Sequence, residues 1–161
     1  MNWQSMFHYH QWATQKLLDH VASNGDAIFH QVGKNSFKTI SETYSHVLSV
    51  DFLWFKRLTG IEKPEWKVFD VNTVSVTKEA FAKLHEEIGQ FLGTLTDDQW
   101  KETLSFTNIK GDPFSNTRGE MFFTFINHSS YHRGQVTSFL RQFDLEGIPI
   151  DYIYFAKETQ T

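Results

Sequence analysis

Two histidines four residues apart, His128 and His132, are the residues of this chain best placed to do chemistry. In a helix that spacing puts them about 40° apart around the axis and one turn apart along it, so both imidazoles reach a single ion. The pair lies on a stripe with Met121, Phe125, Val136 and Phe139 that otherwise reads as a core face. Burying an imidazole without a partner costs roughly 1–3 kcal/mol, so something polar or cationic is expected to meet the two rings. A third ligand is expected from His46, in the middle of an earlier helical segment whose face continues through Val50 and Leu53. Taken alone, a His-x-x-x-His spacing also arises by chance on a solvated face, and a lone His46 on an apolar face reads as a satisfied core histidine. Only the combination points to a metal.

The chain has no cysteine, which excludes a disulfide framework and any internal thiolate ligand. Three neutral imidazoles leave one or more positions for water or substrate, as in catalytic rather than closed structural zinc sites. Such an ion acts as a Lewis acid, or lowers the pKa of a bound water or thiol. Imidazole suits zinc, nickel, copper and iron alike; zinc is expected first and nickel second.

The remaining histidines are not expected to ligate. His8 and His10 are near the chain start, His20 is placed to meet carbonyls in the last turn of the first helix, and His30 and His85 have polar sequence neighbours. Gln135, seven positions beyond His128, stays near the ligand face and is a candidate to orient an imidazole or a metal-bound water, or to make a helix-helix contact. Arg133 is turned about 100° from His132, which predicts a place at the rim beside an acid or a substrate anion. Glu42 and Glu120 are explained by capping.

The elements that must position these residues read as all-α. The three prolines, Pro64, Pro113 and Pro149, fall outside the helical segments. A first helix is predicted from about Trp3 to Ala22, stopped by Asn24-Gly25, with a short turn containing Ile28 and Phe29 after it. A capping box, Thr39 to Glu42, opens a second helix that Gly60 ends. Residues 61–76 read as a connecting loop, and a third helix runs from about Lys78 to Leu95. Residues 96–116 lose the helical period, and Leu104–Thr107 with Lys110–Pro113 suggest a small hairpin before a fourth helix, opened by the box Thr117 to Glu120. The tail from Ile150 to Phe155 is apolar enough to pack back on the bundle.

A chain of 161 residues fits one domain, here 1–161, and a domain of that size buries roughly 70% of the surface exposed when unfolded. Sixteen phenylalanines and five tryptophans fall mostly at helical spacing and are expected to fill the core rather than to stack ligands. A net charge of −4 with interspersed signs disfavours nucleic acid. Nothing at the N-terminus has a basic region before an apolar run, and no stretch approaches about eighteen apolar residues. A soluble cytoplasmic protein without a membrane partner is expected.

The motifs taken together resemble the DinB/YfiT-like family of small metal-binding bundles. Tyr9-His10-Gln11-Trp12-Ala13 is similar to the family's Tyr-Asn-x-Trp-Ala pattern, with His10 in place of the usual Asn, and Ser36 through His46 to Gly60 resembles the second helix. The most specific block is Asn127-His128-Ser129-Ser130-Tyr131-His132-Arg133-Gly134-Gln135, followed by Leu140-Arg141 and Pro149-Ile150-Asp151. The resemblance implies a metal triad of His46, His128 and His132, an up-down-down-up four-helix bundle with one long crossover, and frequently a homodimer. It further implies a small-molecule substrate and a low-molecular-weight thiol such as bacillithiol or mycothiol, used by a metal-dependent thiol transferase. The competing expectations are a non-catalytic, damage- or stress-inducible metal-binding protein, and a bundle with no physiological metal.

Overall fold

The computed structural model describes residues 2–159. Four long helices, α1 (Trp3–Ser23), α2 (Ile40–Leu58), α3 (Val74–Leu92) and α5 (Arg118–Gln142), carry the architecture, with short helices α4 (Asp97–Lys101) and α6 (Tyr152–Thr159) and a hairpin of β1 (Thr103–Thr107) and β2 (Pro113–Thr117) between or after them. Each long helix starts where a short polar side chain satisfies an orphan amide of the first turn. Asn2 accepts from Ser5 N, Thr39 from Glu42 N and Thr73 from Val76 N, while Thr117 and Glu120 form a reciprocal box. At α2 only half of the expected box forms, because the Glu42 carboxylate reaches back one residue further, to Lys38 N.

Contacts along the helices fix their directions. His10 meets Arg133 and Trp3 lies over Gly119, so α1 runs parallel to α5. Arg118 bonds the Leu58 carbonyl at one end of α2 while Ser36, just before α2, meets Gln135 at the other, so α2 opposes α5. Tyr44 packs on Phe81 and Phe55 on Phe91, which makes α2 and α3 parallel. The order is therefore up-down-down-up, as expected. A parallel pair of successive helices requires the chain to return along its own length, and residues 59–73 do so, pinned to α2 by Ser45 Oγ on the Phe69 carbonyl and Ser41 Oγ on the Val71 carbonyl.

The core is one cluster in which the side chains of the apolar stripes meet: Leu17 and Leu18 from α1, Tyr44, Leu48 and Leu58 from α2, Phe81 and Ile88 from α3, and Phe122, Phe125 and Phe139 from α5 are essentially inaccessible. Most of the phenylalanines lie in the core or pack against it, as expected, while Phe114 and Phe123 are exposed. The predicted turn at Ile28 and Phe29 is a single 3-10 turn after the Asn24-Gly25 stop, where Gly25 takes φ 88°. The end of α2 is likewise closed at Gly60, φ 94°.

Three boundaries differ from the sequence reading. α3 begins four residues early, at Val74, because Thr73 supplies the cap and Val74 and Thr77 are buried; it ends at Leu92 rather than Leu95. Within 96–116 a single turn, α4, forms around buried Trp100, held by a capping box of Thr96 and Gln99. Trp100 stacks on Trp3. The hairpin is present, with Phe106 opposite Phe114, and Arg57 ties it to α2 through a bond to the Thr107 carbonyl, its guanidinium lying over Trp54 and Phe106. The tail forms α6, docked on α1 by Phe155 and by Glu158, which bonds Trp12 and Lys16. Among the described residues no helix is long and apolar enough to cross a membrane.

Candidate metal centre

The antiparallel pairing of α2 with α5 brings together residues 82 positions apart in the chain. His128 Nε2 lies 3.2 Å from His46 Nε2 and 3.2 Å from His132 Nε2, and one ring nitrogen from each of the three falls within 4.8 Å of the others. Nitrogens bound tetrahedrally at about 2.0–2.1 Å from one ion stand about 3.3 Å apart, close to the two separations from His128.

The hydrogen-bond pattern within the group does not close on itself. A neutral imidazole nitrogen carries either one N–H or one lone pair, so His128 Nε2 bonds at most one of its two neighbours and leaves the other close contact unsatisfied. His128 Nδ1 is buried and has no hydrogen-bond partner. Convergent nitrogens of this kind fit a cation.

His132 is oriented from behind. Its Nδ1 lies 2.8 Å from Gln135 Oε1, an oxygen that only accepts, so the ring proton sits on Nδ1 and the Nε2 lone pair points at the other two rings. Gln135 thus bonds the His132 imidazole, and its amide nitrogen also links it to Ser36 and Tyr131. Ahead of α2, Phe37 lies against His46 and His132, with ring centroids 4.7 and 5.8 Å away. His46 and His128 remain partly accessible while His132 is buried.

Burial, with the field of His132 added for His46 and His128, lowers the proton affinity of all three histidines, His128 to about 4. They are neutral near pH 7, the protonation state that ligates.

Three sequence expectations need correction. Arg133 is not at a rim: it is buried against α1, where Nη1 donates to His10 Nδ1 and Thr14 Oγ1, Nη2 donates to Ser130 Oγ, and the guanidinium lies over Tyr9. His85, read from its polar sequence neighbours, and His10, read from its place near the chain start, are both buried and meet each other at 3.0 Å in the core. The sequence carried the signal, since His85 follows Phe81 and precedes Ile88 at helical spacing, and His10 follows Phe7 in the same way. Of the other histidines, His20 bonds the Glu146 carbonyl rather than one in its own last turn, and His30 bonds the Asn72 carbonyl. Sequence reasoning also missed Asp51, an acid set among Val50, Phe52 and Leu53, fully buried and bonded to Ser129 Oγ.

Residues 1–161 match the DinB family over their whole length. The chain belongs to the DinB family. Among curated DinB-family relatives, Protein DinB of Bacillus subtilis is 25% identical over 164 residues, covering 97% of this chain and 94% of the relative. An uncharacterized protein of the same organism, YizA, is 24% identical over 152 residues, 94% and 89% of the two chains. The fold is shared with the crystal structure of a DinB-like protein from Bacillus cereus, at TM-score 0.69 and 20% identity over 88% of this chain and 92% of that one. It is also shared with YfiT from Bacillus subtilis, described as a probable metal-dependent hydrolase with an unusual four-helix bundle topology, at TM-score 0.65 and 16% identity over 88% and 87%. The DinB-family bundle expected from the His-x-x-x-His-Arg-Gly-Gln block is thus the one observed.

Proposed function

We propose that this DinB-family protein is a metal-dependent enzyme whose divalent ion, zinc or nickel, is held by His46, His128 and His132. The convergence of three neutral imidazoles, with His128 Nε2 3.2 Å from each of the other two Nε2 atoms and all three within 4.8 Å, carries this reading. A bound ion would supply Lewis acidity toward a small molecule in the positions that three ligands leave open. The chain's own part is to keep the imidazoles unprotonated by burial, to hold the His132 tautomer through Gln135, and to shield one side with the Phe37 ring. With no cysteine to complete the ligand set, a thiol must come from solution, and a low-molecular-weight thiol is the co-substrate proposed for a transferase reaction.

Metal-dependent hydrolysis is the second reading, favoured by the shared fold of YfiT, described as a probable metal-dependent hydrolase. One experiment separates the two. Metal-free and zinc- or nickel-loaded protein are assayed for chelator-sensitive consumption of small thiols with electrophiles, and in parallel for ester and amide hydrolysis without thiol. Thiol consumption lost in His46→Ala, His128→Ala and His132→Ala supports the transferase. Hydrolysis with the same dependence replaces it, and less than about a tenth of an equivalent of metal, with no tight binding on titration, removes both.

A further inference from the structure

We propose that His10, Asp51 and His85 form a second divalent-cation site in the centre of the bundle, reached from the face between α1 and α3. The three residues come from three different helices, and Ser129 and Arg133 complete their surroundings from the fourth. His10 Nε2 lies 3.0 Å from His85 Nε2 and 3.5 Å from Asp51 Oδ2, and one ligand atom of each residue falls within 4.8 Å of the others. Those separations bracket the roughly 3.3 Å between ligand atoms on a tetrahedral ion.

The reason to look beyond a closed polar network is Asp51. Its Oδ1 accepts from Ser129 Oγ at 2.7 Å, but Oδ2 is fully buried and has no hydrogen-bond partner. His10 cannot readily supply one. Arg133 Nη1 donates to His10 Nδ1, which puts the ring proton on Nε2, and the nearest acceptor there is His85 Nε2. A carboxylate oxygen left bare in a core is costly, and a cation beside it would engage Oδ2 and both Nε2 atoms together. Burial keeps both imidazoles unprotonated, the form that ligates, and although burial raises Asp51 to about 6 it is still ionised near neutral pH.

Loading requires the His10 proton to pass from Nε2 to Nδ1, so that Arg133 loses that acceptor and keeps Thr14, Ser130 and the Tyr9 ring. The guanidinium then faces an N–H beside a site of net positive charge. The second ion is therefore expected to bind more weakly than one at His46, His128 and His132. A route in exists: two shallow clefts of about 460 and 350 Å³ between α1 and α3 both reach His85, with Gln11 and Glu86 lining each.

The test is an equilibrium-dialysis titration of untagged, metal-free full-length protein with Zn²⁺ alone near neutral pH, with histidine-ring NMR recorded at each step. Two ions per chain are expected, the ring signals of His10 and His85 moving with the second. His85→Asn and Asp51→Asn should retain one ion, and His46→Ala should retain only the weaker one. A single ion lost in His128→Ala but kept in His85→Asn overturns the second site and leaves the first intact. A second ion that binds without moving the His10 and His85 signals also overturns it, and that measurement needs no variant to fold. A single ion lost in His85→Asn and kept in His46→Ala would sustain this site and sink the triad of His46, His128 and His132.

Discussion

The amide of Gln135 is held at both ends: its oxygen lies 2.8 Å from His132 Nδ1 while its nitrogen donates to Ser36 Oγ at 2.8 Å and Tyr131 OH at 3.1 Å. The two nitrogen bonds fix which way the amide faces, and so fix the His132 tautomer. Gln135→Leu removes that constraint without touching a ligand. Metal affinity should fall about 10–100-fold with stoichiometry at the triad unchanged, measured by competition with a chromophoric chelator. Unaltered affinity would show that the ring holds its tautomer without help.

Acid should weaken metal binding at the triad, but at lower pH than unperturbed imidazole would give. The three ligands have proton affinities lowered by burial, so competition from protons should be slight near pH 7 and become steep only below the reference value of about 6.5. A steep loss of affinity already complete above that value would contradict the burial of these rings.

Metal-free protein should lose stability as the pH falls from about 7 to 5. His10 and His85 have folded-state values depressed by burial, His85 to about 3. Below the unfolded value of about 6.5 the unfolded chain binds protons that the native core refuses, so the stability present above that pH is lost on the way down. Asp51, raised to about 6, acts in the opposite sense because the native carboxyl takes up its proton first, but it is one group against these two and the three lowered histidines of the triad. Thermal melts in chelator across this range check the sign, and a melting temperature that rises on acidification would refute it.

Arg118 joins three elements at the lower end of the bundle. Its Nε donates to the Leu58 carbonyl at the end of α2, and its Nη1 donates to the Gln99 carbonyl and to Glu102. Arg118→Met leaves the buried Leu58 carbonyl without its donor and should cost about 1–3 kcal/mol, or very roughly 2–12 °C in Tm. Metal stoichiometry at the distant histidines should not change; a loss of metal with no change in Tm would mean the two ends are coupled in a way the contacts do not predict.

Gly33 is the one glycine whose neighbours forbid a side chain beside the site. A Cβ there would stand 2.6 Å from Cδ1 of Phe139, a ring with no room to move, and Gly33 N closes the loop carrying Ser36 and Phe37 by bonding the Lys38 carbonyl. Gly33→Ala should lower stability by about 1–3 kcal/mol and weaken metal binding, since the loop that holds Phe37 over the histidines must shift. Calorimetry and the same chelator competition measure both.

Much of this was legible in the sequence because the helices are long and their stripes regular. His128 and His132 could be placed on one face from spacing alone, and the Thr117 to Glu120 box marked the start of their helix. What spacing could not supply was which residue of α2 would stand opposite them, since that depends on register between helices far apart in the chain. His10 and His85 were misplaced for a different reason. Their immediate neighbours, Gln11 and Glu86, are polar, whereas the residues one turn away, Phe7, Phe81 and Ile88, decide which way a helical side chain points. The short helix α4 was hidden because five residues are too few to show a period, and only its capping residues, Thr96 and Gln99, announced it.

The crossover at residues 59–73 has a consequence for the order of assembly. Because α3 follows α2 in the same direction, the helix that faces His46 is neither of its neighbours in sequence but the last long one, and α3, α4 and the hairpin all lie between. A growing chain would carry His46 for 82 further positions before His128 exists, so the pairing of α2 with α5 closes a long loop and forms late. An ion held by His46, His128 and His132 would therefore bind only after the whole bundle is laid down, and fragments ending before α5 would contain a complete-looking second helix with two of those three ligands missing.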